Sequence, residues 1–182
     1  SLGPSVEGGT ITQTNAPTDQ IITSGSGSTA GLSNEQQTRV DTWTNANPRT
    51  PAANLNLDVN GSNNTLYIEQ VGDSNTVKGI GEAPARVVGS SNSVTVKQGT
   101  TGSGQNEIQL RITGNNNTLD IGQARTNTGV ETGTNGHYQA IDITGYSNTL
   151  TTQQSNTTLG SHYQETTITG NQNNITARQT DN

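Results

Sequence analysis

The chain has 182 residues, a quarter of them hydrophobic, with no Phe, Met or Cys, one tryptophan (Trp43) and a net charge of −6. This composition excludes a conventional core of large side chains, and the lack of cysteine excludes disulfides and thiolate metal sites while leaving the redox compartment open. The eight basic residues are scattered, so neither nucleic acid nor an anionic membrane is an expected partner, and no apolar run approaches a membrane span or signal-peptide core.

Residues 1–51 hold four of the five prolines (Pro4, Pro17, Pro48, Pro51) and a Gly/Ser run at residues 24–28. They read as an irregular N-terminal arm: a flexible linker, or a capping or partner-binding segment. Within it, residues 10–13 (TITQ) and 20–23 (QIIT) read as short strands, and residues 32–37 as a turn or short helix. The start at Ser1-Leu2-Gly3-Pro4, without methionine, reads as a mature product or a fragment.

Residues 52–182 read as one repeat domain. The phrase G-x-x-N-x-[LVI]-x-x-x-Q occurs five times, with glycine at Gly61, Gly89, Gly114, Gly145 and Gly170. Asparagine follows at Asn64, Asn92, Asn117, Asn148 and Asn173, and glutamine closes each phrase at Gln70, Gln98, Gln123, Gln154 and Gln179. Recurrence at 25 to 31 residues is the signature of a solenoid. Asparagine, aliphatic residue and glutamine lie at even steps, so in a strand they share one face. The residues between them, such as Thr118 and Asp120, face outward.

A second strand precedes each glycine, marked by Leu55/Leu57/Val59, Ala83/Ala85/Val87, Ile108/Leu110/Ile112, Ile141/Ile143 and Thr166/Ile168. Strand, Gly-x-x-Asn turn and strand make one β-arch. The expected fold is therefore all-β: a solenoid of five stacked arches with interior Asn and Gln ladders, preceded by the arm. Sparse but regularly placed apolar residues and few charges separate such a chain from a disordered one. Stacked in register about 4.8 Å apart, each inward amide reaches its counterparts above and below. Outward, Asp58 with Arg86 and Arg111 with Asp142 fall on neighbouring arches with opposite charge. The joiners between arches, beginning near Val71, Gly99, Ala124 and Ser155, are polar, unequal in length and expected to protrude as loops.

The first copy extends as Asn64-x5-Gln70-x-Gly72-x2-Asn75-Thr76-Val77, which resembles the curlin repeat of bacterial curli subunits. The Asn-x5-Gln half recurs in all five copies. Gly81 stands where the curlin pattern has its final glutamine, and after Gln98, Gln123 and Gln154 a long joiner replaces the tight x-Gly turn. The resemblance implies a secreted β-solenoid with interior Asn and Gln ladders that polymerises end to end into amyloid-like surface fibres. Curlin-like repeats also occur in viral structural proteins.

Residues able to carry chemistry are few. His137 and His162 hold equivalent places on adjacent arches and are expected as stacked loop residues, with a weak metal pair as the other reading. Asp58-Val59-Asn60-Gly61 has the start of a calcium loop without its further ligands. Glu69, Asp73, Asp120 and Asp142 are the carboxylates to weigh for a polysaccharide-cleaving pair, which needs two carboxylates about 5–10 Å apart. The spacing places Glu69 opposite Lys97, and Asp120 on a flat outward face. No catalytic residue, metal site or cofactor is therefore expected. The expected function is a non-enzymatic structural subunit of an extracellular fibre or surface coat, joined to copies of itself end to end. The alternative is a virion fibre or cell-surface adhesin module that binds glycans or a receptor through its joiners.

Overall fold

The computed structural model describes residues 10–14, 20–24, 54–70, 75–82, 84–99, 106–123, 137–155 and 162–180. The chain forms two parallel sheets joined at five levels by the Gly-x-x-Asn turn. One sheet holds β1 (Thr10–Thr14), β3 (Asn54–Asn60), β5 (Thr76–Lys78) with β6 (Ala85–Val88), β8 (Glu107–Thr113), β10 (Tyr138–Thr144) and β12 (Tyr163–Thr169). The other holds β2 (Gln20–Ser24), β4 (Thr65–Gln70), β7 (Ser93–Gln98), β9 (Thr118–Gln123), β11 (Thr149–Ser155) and β13 (Asn174–Thr180). The five expected arches are β3–β4, β6–β7, β8–β9, β10–β11 and β12–β13, stacked as a β-solenoid.

Strict alternation drives the stacking. Leu55, Leu57 and Val59 of the first arch, with Leu66 and Ile68 across the turn, are sealed from solvent, as are Ile108, Leu110, Ile112, Leu119 and Ile121 in the third. Each such side chain stabilises by about 1.5–3 kcal/mol. The interior becomes polar toward the C-terminal end: Gln139 and Gln164 continue the column of Leu55, Val77 and Ile108, and Thr152 faces inward beside Leu150.

The turn leaves no latitude. Its glycines have φ of +126° to +150°, and the third turn residue (Asn63, Ser91, Asn116, Ser147, Gln172) is left-handed at 57° to 59°. A Cβ on Gly114 would sit 1.7 Å from the carbonyl oxygen of Gly145 on the next arch. Glycine is therefore required by the approach of two backbones as well as by φ.

Two features depart from the repeat phrase, the first of them at the strands the sequence places over residues 10–13 and 20–23. The N-terminal strands lie on the first arch: β1 pairs in parallel with β3 (Thr10 opposite Asn56), and β2 with β4 (Gln20 opposite Thr65). Of the readings the sequence leaves open for the arm, these strands match the capping one: they cover the edge of the first arch. Five residues, 15–19, link β1 to β2 in place of the four-residue Gly-x-x-Asn turn, so the repeat phrase does not announce this pair. Residues 32–37 lie outside the described residues.

The second departure is in the second arch, where β5 and β6 together replace one seven-residue strand. Lys78 pairs opposite Gln109, and Arg86 opposite Arg111, so Ala85 takes the register position directly after Lys78. Between them the chain makes an excursion whose described residues, 79–82 and 84, lie outside the sheet, with a 3-10 turn at Ile80–Glu82. Val77 completes the inward set with Ala85 and Val87; Ala83, expected in that set, lies outside the described residues.

Candidate functional site

Three side-chain columns run along the stack. In the first, each asparagine Oδ1 accepts from the backbone N–H of the asparagine one arch later, at 3.0 Å for Asn92 on Asn64, Asn117 on Asn92, Asn148 on Asn117 and Asn173 on Asn148. Each Nδ2 also donates to the carbonyl of the following arch's turn glycine: Asn64 to Gly89, Asn92 to Gly114, Asn117 to Gly145 and Asn148 to Gly170, at 2.8–3.0 Å. Asparagine suits the place because its short amide supplies donor and acceptor at once.

The glutamine column runs on the other side of the interior. Nε2 donates onward from Gln70 to Gln98, Gln98 to Gln123, Gln123 to Gln154 and Gln154 to Gln179, at 2.6–3.1 Å. The same nitrogens reach across to the first sheet, where Gln123, Gln154 and Gln179 donate to the carbonyls of Glu107, Tyr138 and Tyr163. This column therefore ties the two sheets together where no turn does.

The third column was not read from the sequence as a unit. Asn75, Asn106, His137 and His162 each stand one residue before a strand of the first sheet. Asn106 Nδ2 donates to Asn75 Oδ1 at 2.8 Å, the His137 N–H to Asn106 Oδ1 at 3.0 Å, and the His162 N–H to His137 Nδ1 at 3.0 Å. The two imidazoles stack with centroids 5.2 Å apart, and His137 is 1% exposed. His137 is thus an interior strand-entry residue and not a loop residue. Its imidazole replaces the asparagine carbonyl as acceptor. The signal for this column is the residue immediately before each strand, obscured because its identity changes and its spacing follows the joiners.

On the outer surface Arg111 holds Asp142 through two bonds, at 3.1 and 2.5 Å, which raise its own pKa, hydrogen bonding first and charge second. Arg86 lies 3.8 Å from Asp58, and Lys78 lies 3.3 Å from Glu107. Both exposed pairs foreseen from spacing are present. Tyr138 and Tyr163 stack at 4.6 Å, and the Tyr163 hydroxyl donates to Glu165, which pushes its pKa up to about 12.

Among the described residues the carboxylates weighed for catalysis do not converge. Glu69 stands opposite Lys97 and Asp120 opposite Thr151 on the outer face of the second sheet, whereas Asp142 is on the first and Asp73 lies outside the described residues. Among the described residues no group of three His, Asp or Glu side chains is placed to hold a metal ion. No helix there is long and apolar enough to cross a membrane.

The two ends of the stack complete the geometry. In β11 the Thr149 N–H donates to Asn173 O on the following arch, so by strand alternation the N–H groups of Asn174, Thr176 and Arg178 point past the last arch. Tyr138 N–H donates likewise to His162 O, and Tyr163, Glu165 and Thr167 point the same way. No described strand lies beyond β12 or β13. Here Gly170 differs from the other turn glycines, since an added Cβ would meet only Asn173 Nδ2, at 3.5 Å. Gln164 Oε1 and His162 Nε2 are buried in this last arch without a hydrogen-bond partner. Compared with known protein families, curated proteins and solved structures, the chain gives no match.

Proposed function

We propose that the protein is a non-enzymatic structural subunit that joins copies of itself end to end through its solenoid edges, in an extracellular fibre or surface coat. The observation that carries this reading is the last arch. It has the full turn, both amide columns and the register of its predecessors, yet its outer edge carries no strand among the described residues. A flat edge of unpaired backbone groups is a template for strand addition. The resemblance to curlin repeats supports the same reading and the extracellular setting.

The arm revises which surface a second copy brings. Because β1 and β2 cover the first arch, the end that meets β12 and β13 is the outer edge of β1 and β2, or those two strands exchanged from one copy onto the next. Either contact is head to tail and does not close on itself, which gives filaments. Electron microscopy of the purified chain tests the proposal. Filaments are expected for the native sequence. The double variant Ile175→Lys, Thr176→Pro places a charge in the last arch and removes an N–H that points outward, and it should give dispersed particles with β-sheet circular dichroism retained. Dispersed native protein overturns the reading and favours the adhesin alternative, which rests on the unequal joiners.

A further inference from the structure

A recess of about 240 Å³ lies on the outer face of the first sheet. Its floor is Ala140. Along the stack this outward column reads Lys78, Gln109, Ala140 and Glu165, so a methyl group sits between longer side chains and the surface drops there. Tyr138 and Asp142, two residues to either side on β10, wall the recess together with Gln109, Glu165 and Thr167, and Ile80 from the excursion closes it. The stack does not require that excursion: register resumes at Ala85 as though nothing were inserted, and no other described arch has one.

The walls are polar, and the charges of Asp142 and of the neighbouring Glu107 are compensated by basic partners. Arg111 engages both oxygens of Asp142, the Tyr163 hydroxyl engages Glu165, and Lys78 engages Glu107 nearby. Each carboxylate oxygen keeps a further lone pair for a hydroxyl donor. The Tyr138 pKa is raised, first by burial and then by Glu107 and Glu165, so its phenol stays protonated as a donor. An anion would meet Asp142 and Glu165, and an apolar molecule would leave their oxygens without water or partner. Among the described residues Glu165 is the one wall carboxylate without a basic partner, so a cation would gain a single ion pair at most. A small neutral polyhydroxylated ring fits all three constraints, its hydroxyls on Asp142, Glu165 and Gln109 and its C–H surface against Ile80 and Tyr138.

We propose that this recess binds one neutral sugar ring of a glycan, on the sheet face and not in the joiners, whether or not copies of the chain join. Saturation-transfer NMR suits both dispersed and assembled protein. The full chain is titrated separately with the methyl glycosides of glucose, galactose and N-acetylglucosamine, and with putrescine as a cationic comparison. At least one glycoside should give a saturable signal. Ala140→Leu, which fills the floor from an outward position, should abolish it; Glu165→Gln, which keeps the shape, should weaken it about tenfold. Thr151→Leu on the opposite sheet should leave it unchanged. No saturable glycoside signal, a signal that survives Ala140→Leu, or saturation by putrescine alone overturns the proposal.

Discussion

The two sides of each arch keep register by different means. At the turn side, four residues in one conformation recur five times, and the backbones approach so closely that only glycine fits. At the joiner side, segments of unequal length connect the arches, and just before each strand a side-chain acceptor of one arch takes a hydrogen bond from the next: Asn75 from Asn106 Nδ2, Asn106 from the His137 N–H and His137 from the His162 N–H. The turn is a steric device with no tolerance. The strand entry needs only an acceptor at the right height, so asparagine and histidine both serve, and the joiner between can be any length.

Substitutions at the two sides should therefore differ in kind. The largest effect is expected at Gly114→Ala, where the added methyl overlaps the Gly145 carbonyl; the loss should exceed about 4 kcal/mol and abolish cooperative unfolding. Next is Asn117→Leu, which strips the Asn148 N–H and the Gly145 carbonyl of buried partners. With about 1–3 kcal/mol per orphaned group, denaturant unfolding should register a loss of a few kcal/mol. Thr118→Leu, on the outward face, should stay within about 0.5 kcal/mol. An equal loss there would mean the facing is wrong.

Strand entry should be more forgiving. His137→Leu removes the acceptor for the His162 N–H and should cost about 1–3 kcal/mol, whereas His137→Asn restores the acceptor and should recover most of it. Equal losses in both variants would mean that imidazole packing, and not the acceptor, sets register there. The smallest effect is expected from trimming residues 126–135 of the longest joiner, since closure entropy changes by under about 1 kcal/mol. A large loss of stability would place those residues in the packing of the stack.

This contrast also explains what the sequence made legible. Gly-x-x-Asn turns, the period-two strands and the closing glutamines are fixed by steric and hydrogen-bonding demands that admit one residue type, so they repeat visibly. The column of Asn75, Asn106, His137 and His162 admits two residue types at variable intervals and stayed hidden, although the two histidines stood out. The strands β1 and β2 were legible as strands but not as an added level, because residues 15–19 lack the turn phrase. The excursion after Lys78 hid the place of Val77 in the inward set, since an insertion between consecutive register positions leaves no mark in the alternation on either side. The recess over Ala140 was invisible for the same reason: it depends on what the excursion overhangs.

The central claim, that the last arch is an unfinished level awaiting a second copy, is tested most directly by Gly170→Ala. At Gly114 and Gly170 alike the positive φ strains alanine, but the methyl that overlaps a backbone at Gly114 meets nothing nearer than 3.5 Å at Gly170 within one chain and points out of the open end, so the strain there is confined to the last turn. Electron microscopy and circular dichroism on one sample read assembly and fold together. The account predicts that Gly170→Ala retains the β-sheet spectrum and forms no filaments, while the native chain forms them. Filaments of native length from Gly170→Ala would contradict it.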